Sequence, residues 1–347
     1  KRPPYACSNW RIEMNKFTTL AAGLILTLAS PALAEKLPKL TVYTYDSFVS
    51  DWGPGPLIEK AFEATCACDL NLVGAGDGAA LLTRLQLEGE RSEADIALGL
   101  DTNLTAKATA TGLFARHSTN TTNLDLPIDW ADDIFIPYDW GYFAFVYDNT
   151  KVTNIPNSFE ALINMPDDFK IVIQDPRSST PGLGLLLWVK QAFGERASEI
   201  WSGLSPKILT VTAGWSEAYG MFTNGEADMV LSYTTSPAYH IIAENDLTKS
   251  AAKFKEGHYM QIEVAAKLAS SNQPELADKF LDFMISDKFQ SIIPTTNWMY
   301  PAVIPSEGLP VGFDKLITPS KSLIINSNEA QEVRDEALAE WLTELSR

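Results

Sequence analysis

Short runs of strand character alternate with stretches of helical period along most of this chain, and that alternation leaves few folds open. Residues 40–45 read as a strand, and the Trp52-Gly53-Pro54-Gly55-Pro56 turn leads into a helix over 57–64. Residues 70–73 form the next strand, 78–89 a helix with Leu81, Leu82 and Leu85 on one face, and 94–98 a third strand. A second series follows, with strands at 170–173, 209–211 and 229–232 and helices over 184–193 and 216–224. Strands separated by helices must run parallel, so each series predicts a doubly wound sheet. Ligands in such sheets sit beyond the carboxyl ends of the strands, where Tyr45, Asp46, Gly76, Asp77, Leu100 and Asp101 fall.

The two series are separated by an unusually aromatic strand, 141–147, led in by Phe135-Ile136-Pro137-Tyr138, and 260–266 is again extended. These segments are expected to cross between two lobes, one built from 35–135 with 260–300 and the other from 136–259 with 301–347. Helices over 274–285 and 287–293 and a charged amphipathic helix over 329–346 complete the reading. With 347 residues the chain exceeds one ordinary core, which also argues for two lobes with a cleft between them.

Met14-Asn15-Lys16, an apolar run from Leu20 to Leu28 and Ser30-Pro31-Ala32-Leu33-Ala34 have the layout of an export signal cleaved after Ala34. The apolar run falls short of the roughly 20 residues that span a bilayer. Residues 1–13 precede a plausible start methionine and read as a mis-set start or non-native sequence. Two cysteines of the mature chain, Cys66 and Cys68, invite a local bridge in an oxidising compartment. No metal site is expected, because His117, His240 and His258 lie far apart in sequence. The formal net charge is −17, and loss of the signal, which carries more basic than acidic residues, makes it more negative. Such a field repels nucleic acid and draws in small cations.

Asp175 to Gly184 (DPRSSTPGLG) joins a strand to an apolar helix. Its hydroxyls suit either capping of that helix, the more general use, or an anion held at the helix start. The stretch lacks the third glycine of a dinucleotide fingerprint, and no Gly-Lys-Ser/Thr follows. Tyr45, Trp52, Trp215, Tyr233, Tyr239 and Trp298 fall at loop or strand-end positions, which suits a flat or cationic ligand, although packing into a core is the common fate of any one of them. Asp46, Asp51, Asp77, Asp95, Asp101 and Glu217 offer carboxylates near the inferred cleft. Hydrolase signatures are absent, with no Gly-x-Ser-x-Gly and no His-Glu-x-x-His.

Six longer stretches carry a resemblance: 40–48 (LTVYTYDSF), 51–56 (DWGPGP), 174–188 (QDPRSSTPGLGLLLW), 214–220 (GWSEAYG), 231–240 (LSYTTSPAYH) and 297–301 (NWMYP). Through these the chain resembles the periplasmic thiamine-binding proteins of bacterial ABC importers. The resemblance implies a two-lobed type II periplasmic-binding-protein fold, α/β, each lobe a doubly wound and mostly parallel sheet. It further implies a non-enzymatic receptor that closes over thiamine, thiamine monophosphate or thiamine diphosphate, needs no cofactor, and delivers its ligand to a membrane permease with its ATPase. Tyr45, Trp52, Tyr239 and Trp298 would surround the ligand's rings, and Asp77, Gly78, Ser179, Trp215 and Tyr233 would line its hydroxyethyl or phosphate end. The rival within the fold is a binder of another small cation, ferric iron or a polyamine. Ferric relatives are expected to use adjacent tyrosines with a histidine, whereas Tyr233 and Tyr239 are not adjacent.

Overall fold

The structure, a computed structural model, describes residues 37–346; the expected signal, its cleavage site and Cys7 lie outside the described residues. The principal elements in chain order are β1 (Lys39–Thr44), α1 (Gly55–Cys66), β2 (Asp69–Gly74), α2 (Gly78–Glu88), β3 (Ile96–Asp101), β4 (Ile136–Asp148), β5 (Ile171–Gln174), α3 (Thr180–Phe193), β6 (Ile208–Thr212), α4 (Trp215–Thr223), β7 (Met229–Tyr233), α5 (Pro237–Ala243), β8 (Lys249–Ala251), β9 (His258–Lys267), α6 (Pro274–Met284), β10 (Tyr300–Pro301), β11 (Ser322–Leu323) and α7 (Ser327–Leu345). Every expected strand and helix has a counterpart, with ends moved by a few residues. The helix expected over 287–293 is two short turns, Asp287–Gln290 and Ile293–Thr296. Strand β4 begins at Ile136, five residues before the expected 141, and α3 begins at Thr180 because Pro181, with its fixed φ and no amide hydrogen, suits a first turn.

The main sheet runs β2-β1-β3-β9-β4-β7-β5-β6. Its wings are parallel: β1 pairs with β2 and β3, and β5 with β6 and β7. Its centre is antiparallel, because β9 pairs with both β3 and β4, and β4 with β7. Strand β4 changes partner along its length: Ile136 to Tyr142 pair with β9, and Phe143 to Tyr147 pair with β7. Strand β9 is buried along its whole length, as expected of a strand covered on both faces. The two lobes are thus continuous through a pair of long crossing strands.

Burial of α3 explains its composition. Thr180 through Val189 are all buried, so the helix is apolar all round and lies inside the fold. It packs on β5, β7 and β9, and on its outer side meets α7, where Lys190 pairs with Glu336 and Glu340 at 3.1 and 2.7 Å. Trp188 is fully buried there against Phe159 (4.9 Å between ring centres) and Phe254 (5.6 Å), and donates its indole N–H to the Gly257 carbonyl at 3.1 Å. The first lobe has its own core, in which Phe62, Phe280 and Leu281 join α1 to α6. Cys66 and Cys68 are bridged at the end of α1, with Cα atoms 5.2 Å apart around Ala67 in the left-handed region (φ 52°).

Candidate functional site

Three helices of the two wings begin at one point. Asp77 directly precedes α2, Ser179 precedes α3 and Trp215 opens α4. The Asp77 Oδ2 atom accepts from the Ser179 hydroxyl at 2.7 Å and from the Trp215 backbone N–H at 3.0 Å. A carboxylate therefore occupies the positive ends of helix dipoles from both lobes and ties them together. The Ser179 hydroxyl does not cap its own helix, and Ser178 donates to the Ala213 carbonyl at 2.7 Å, so the capping use expected for this stretch is not the one observed. Gly78 is needed for the convergence, since a Cβ there would stand 2.6 Å from the Gly99 carbonyl oxygen and 2.5 Å from the Thr180 hydroxyl.

Desolvation at this junction raises the Asp77 carboxyl to about 6, even though Ser179 and Trp215 both favour its charged form. An unfolded chain releases that proton near 3.8, so between the two values the folded state holds more protons and unfolding free energy falls as pH rises. The contribution, present below pH 4, is lost as pH rises through 6 and amounts to roughly 3 kcal/mol. In Asp77→Asn this component is expected to vanish. Denaturant unfolding of both proteins from pH 4 to 7 should show wild type losing roughly 3 kcal/mol relative to the variant; a difference that stays constant with pH would refute the assignment.

Aromatic rings form the walls beside this junction. Trp52, on the loop before α1, is 55% exposed and lies 6.2 Å from Trp215, which stacks on Tyr219 at 4.9 Å and 26°. Across the opening, Trp298 meets Tyr239 edge to face at 5.3 Å. Trp298 has φ 57°, a left-handed conformation that a tryptophan adopts at a cost, and such outliers concentrate at binding sites. A cavity lies between these walls and is lined by Tyr45, Trp52, Asp77, Gly78, Trp215, Tyr233, Glu263 and Trp298 among others. A second adjoins it through Trp52, Trp215, Tyr233, Asn297 and Trp298 and adds Tyr239 and Glu244. The acidic residues on these linings are Asp77, Glu263 and Glu244, and none of the lining residues is Lys, Arg or His.

The floor is a buried polar network on the crossing strands. Glu263 of β9 accepts from the hydroxyls of Tyr45 (3.0 Å) and Tyr138 (2.6 Å) and from the Gln261 amide (2.8 Å). Asn297 donates to Asp139 of β4 at 2.6 Å and to the Tyr45 hydroxyl at 2.8 Å. Tyr45 is held from below by Gly99, whose φ of 103° and missing side chain let the ring lie against the backbone.

Of the nine residues singled out in the sequence, Tyr45, Trp52, Asp77, Gly78, Trp215, Tyr233, Tyr239 and Trp298 lie on the two linings. Ser179 does not: it is fully buried behind Asp77 and acts on the cavity through that carboxylate. Tyr239 sits on α5, not in a loop. Among the other carboxylates considered, Asp101 is buried in β3, Asp95 holds the Thr41 backbone N–H at 2.8 Å, Asp46 receives the Gly76 N–H at 3.0 Å, and Asp51 and Glu217 are exposed. Glu263, Asp139 and Asn297 were not anticipated, although a carboxylate inside an apolar strand is a signal that Gln261-Ile262-Glu263-Val264 and Tyr138-Asp139-Trp140 both carry.

Among the described residues one group has metal-ligand proximity, His240 with Glu244 and Asp246. Its ligand atoms are already engaged: the His240 ring pairs with Glu244 at 2.6 Å and with the Tyr219 hydroxyl at 2.9 Å, and Lys249 lies 3.3 Å from Asp246.

Residues 92–320 match the family of bacterial extracellular solute-binding proteins. The chain is 52% identical over 324 residues to the thiamine-binding periplasmic protein of Escherichia coli (strain K12), covering 93% of this chain and 98% of that one. Among solved structures it is similar to a periplasmic thiamin binding protein, with a TM-score of 0.87, 52% identity, and 90% and 97% of the two chains covered. It is also similar to iron-bound HitA from Pseudomonas aeruginosa, at a TM-score of 0.73 and 21% identity over 88% and 99% of the chains, a likeness of fold.

Proposed function

The chain belongs to the thiamine-binding periplasmic proteins of the bacterial extracellular solute-binding family, and we propose that its cleft holds thiamine by stacking the cationic rings among Tyr45, Trp52, Tyr239 and Trp298 while the polar arm points to Asp77. It works in the periplasm, and on this reading it serves as the receptor of an ABC importer. The observation that carries the site assignment is the pairing of aromatic walls with an acidic floor and rim on linings without a cationic side chain. A ring with a fixed positive charge is attracted to aromatic faces by about 1 kcal/mol each, and by more once water is excluded. An opposite charge in a low-dielectric floor adds to this.

The arm end is built for a hydroxyl at neutral pH, because the ionised Asp77 carboxylate accepts a hydrogen bond. A phosphate arm gains from the three helix N-termini gathered there but is repelled by that carboxylate until it protonates near pH 6. Thiamine, thiamine monophosphate and thiamine diphosphate are therefore all candidate ligands, ranked by what happens at Asp77. Closure of the lobes about β4 and β9 would bury the rings and present a closed complex to a membrane permease and its ATPase. The role needs no cofactor and no covalent step.

The small-cation rival rests on fold likeness alone. Equilibrium dialysis of ligand-stripped protein against thiamine, spermidine and ferric citrate separates them. Retention of one equivalent of thiamine, recovered chemically unchanged by chromatography, is expected; retention of iron or polyamine instead, or recovery of a cleaved product, would overturn the reading.

A further inference from the structure

Glu263 and Asp139 face each other as cross-strand partners on the two strands that join the lobes. Asp139 is fully buried and Glu263 nearly so, yet Glu263 reaches the cavity wall beside Tyr45 and Trp298. Their surroundings differ in one decisive way. Glu263 is given three donors, the hydroxyls of Tyr45 and Tyr138 and the amide of Gln261, whereas Asp139 receives only Asn297, and its Oδ1 atom has no hydrogen-bond donor around it. Two carboxyls side by side in a buried site do not both ionise, and the proton stays on the one with less hydrogen-bond support. Asp139 is accordingly held protonated, its carboxyl pushed well above the usual range by burial and by the Glu263 charge. Burial raises the Glu263 carboxyl as well, while the Tyr138 and Tyr45 hydroxyls favour its charged form, so the pair carries at most one negative charge, centred on the carboxylate that touches the cavity.

A buried charge in a native fold is compensated by a partner, and no Lys or Arg stands on the cavity lining to do this. We propose that Glu263, fixed by its two tyrosines and by its pairing with Asp139, is the counter-charge for the ligand's positive ring and makes the cleft select a charged aromatic ring over its neutral isostere. The inference rests on the thiamine reading above and adds the group that sets its charge preference. Tyr45 serves twice in this arrangement, offering a ring face to the ligand and a hydroxyl to Glu263, so aromatic and ionic recognition are tied to one side chain. Asp139 and Asn297 are positioning residues.

The test compares two ligands on each protein: thiamine, and the isostere in which carbon replaces the thiazolium nitrogen, so that shape is kept and charge removed. Wild type is expected to prefer thiamine by at least about tenfold, the size of one desolvated charge contact. Glu263→Gln keeps an oxygen acceptor for the tyrosines and removes the charge. It is expected to lose thiamine affinity about tenfold or more while binding the neutral isostere within about threefold of wild type, so the preference collapses. Glu263→Asp, which keeps the charge, should retain a preference for the cation. An equal loss of both ligands in Glu263→Gln would mean that Glu263 only supports Tyr45, and would overturn the proposal. Should neither variant fold, wild type decides: equal affinities for the two ligands overturn the counter-charge and leave the thiamine reading intact, whereas failure to bind either overturns the thiamine reading itself.

Discussion

Trp298→Ala is expected to weaken thiamine binding by roughly 10- to 100-fold and to leave the unfolding free energy within about 1 kcal/mol of wild type. The binding loss follows from the geometry. Trp298 lines both parts of the cleft and stands edge to face with Tyr239, so its removal takes away one aromatic wall and loosens the other. The stability result follows from the backbone. The left-handed strain at Trp298 (φ 57°) comes from its Cβ, which alanine keeps, and its backbone N–H closes the turn to the Ile293 carbonyl at 3.1 Å whatever the side chain is. Tyr239→Ala is expected to lose affinity in the same range, whereas Lys279→Ala, on the exposed face of α6, should change it less than about twofold. Calorimetric affinities paired with denaturant unfolding test both halves. Small and equal effects for all three variants would contradict the stacking account.

The opposite outcome is expected for Trp188→Ala. That indole is fully buried among Phe159, Phe254 and His258, and its N–H satisfies the Gly257 carbonyl. Truncation opens a cavity and leaves that carbonyl without its donor, a loss of about 3–5 kcal/mol. No atom of Trp188 lines the cleft, so the fraction that remains folded should bind thiamine with wild-type affinity. Unfolding midpoints and calorimetry on the folded protein at low temperature separate the two quantities. A Trp188→Ala protein of unchanged stability would mean that the core closes over the gap, and a folded one that binds poorly would mean that α3 transmits strain to its Ser179 end. Two tryptophans thus divide the labour: one maintains the lobe and the other binds.

Local features of the site were legible in the sequence because they lie where strands end and helices begin. Tyr45, Asp77 and Tyr233 follow from the strand pattern alone, and the Ser178-Ser179-Thr180-Pro181 stretch announces a helix start. The use to which Ser179 is put was not legible, since its partner Asp77 lies in the other lobe and their meeting depends on how two sheets are joined. The floor was hidden for the same reason. Glu263 and Asp139 are paired by the register of β9 on β4, a relation between distant segments that hydrophobic period does not encode. The ladder also shifts between Pro137 and Asp139, so even a correct pairing of strands would not have set these two opposite each other without the bulge. What each segment could reveal by itself was its oddity: an ionisable side chain in an apolar crossing strand.

The most direct measurement is a calorimetric titration of ligand-stripped mature protein with thiamine and then with thiamine monophosphate. The account predicts one site per chain, tight binding of thiamine at pH 7.5, and a phosphate-to-thiamine affinity ratio that rises as pH falls toward 6 and Asp77 takes up its proton. No heat with either ligand, together with unchanged tryptophan fluorescence from Trp52, Trp215 and Trp298, would contradict it: the aromatic and acidic cleft would then serve a different cation.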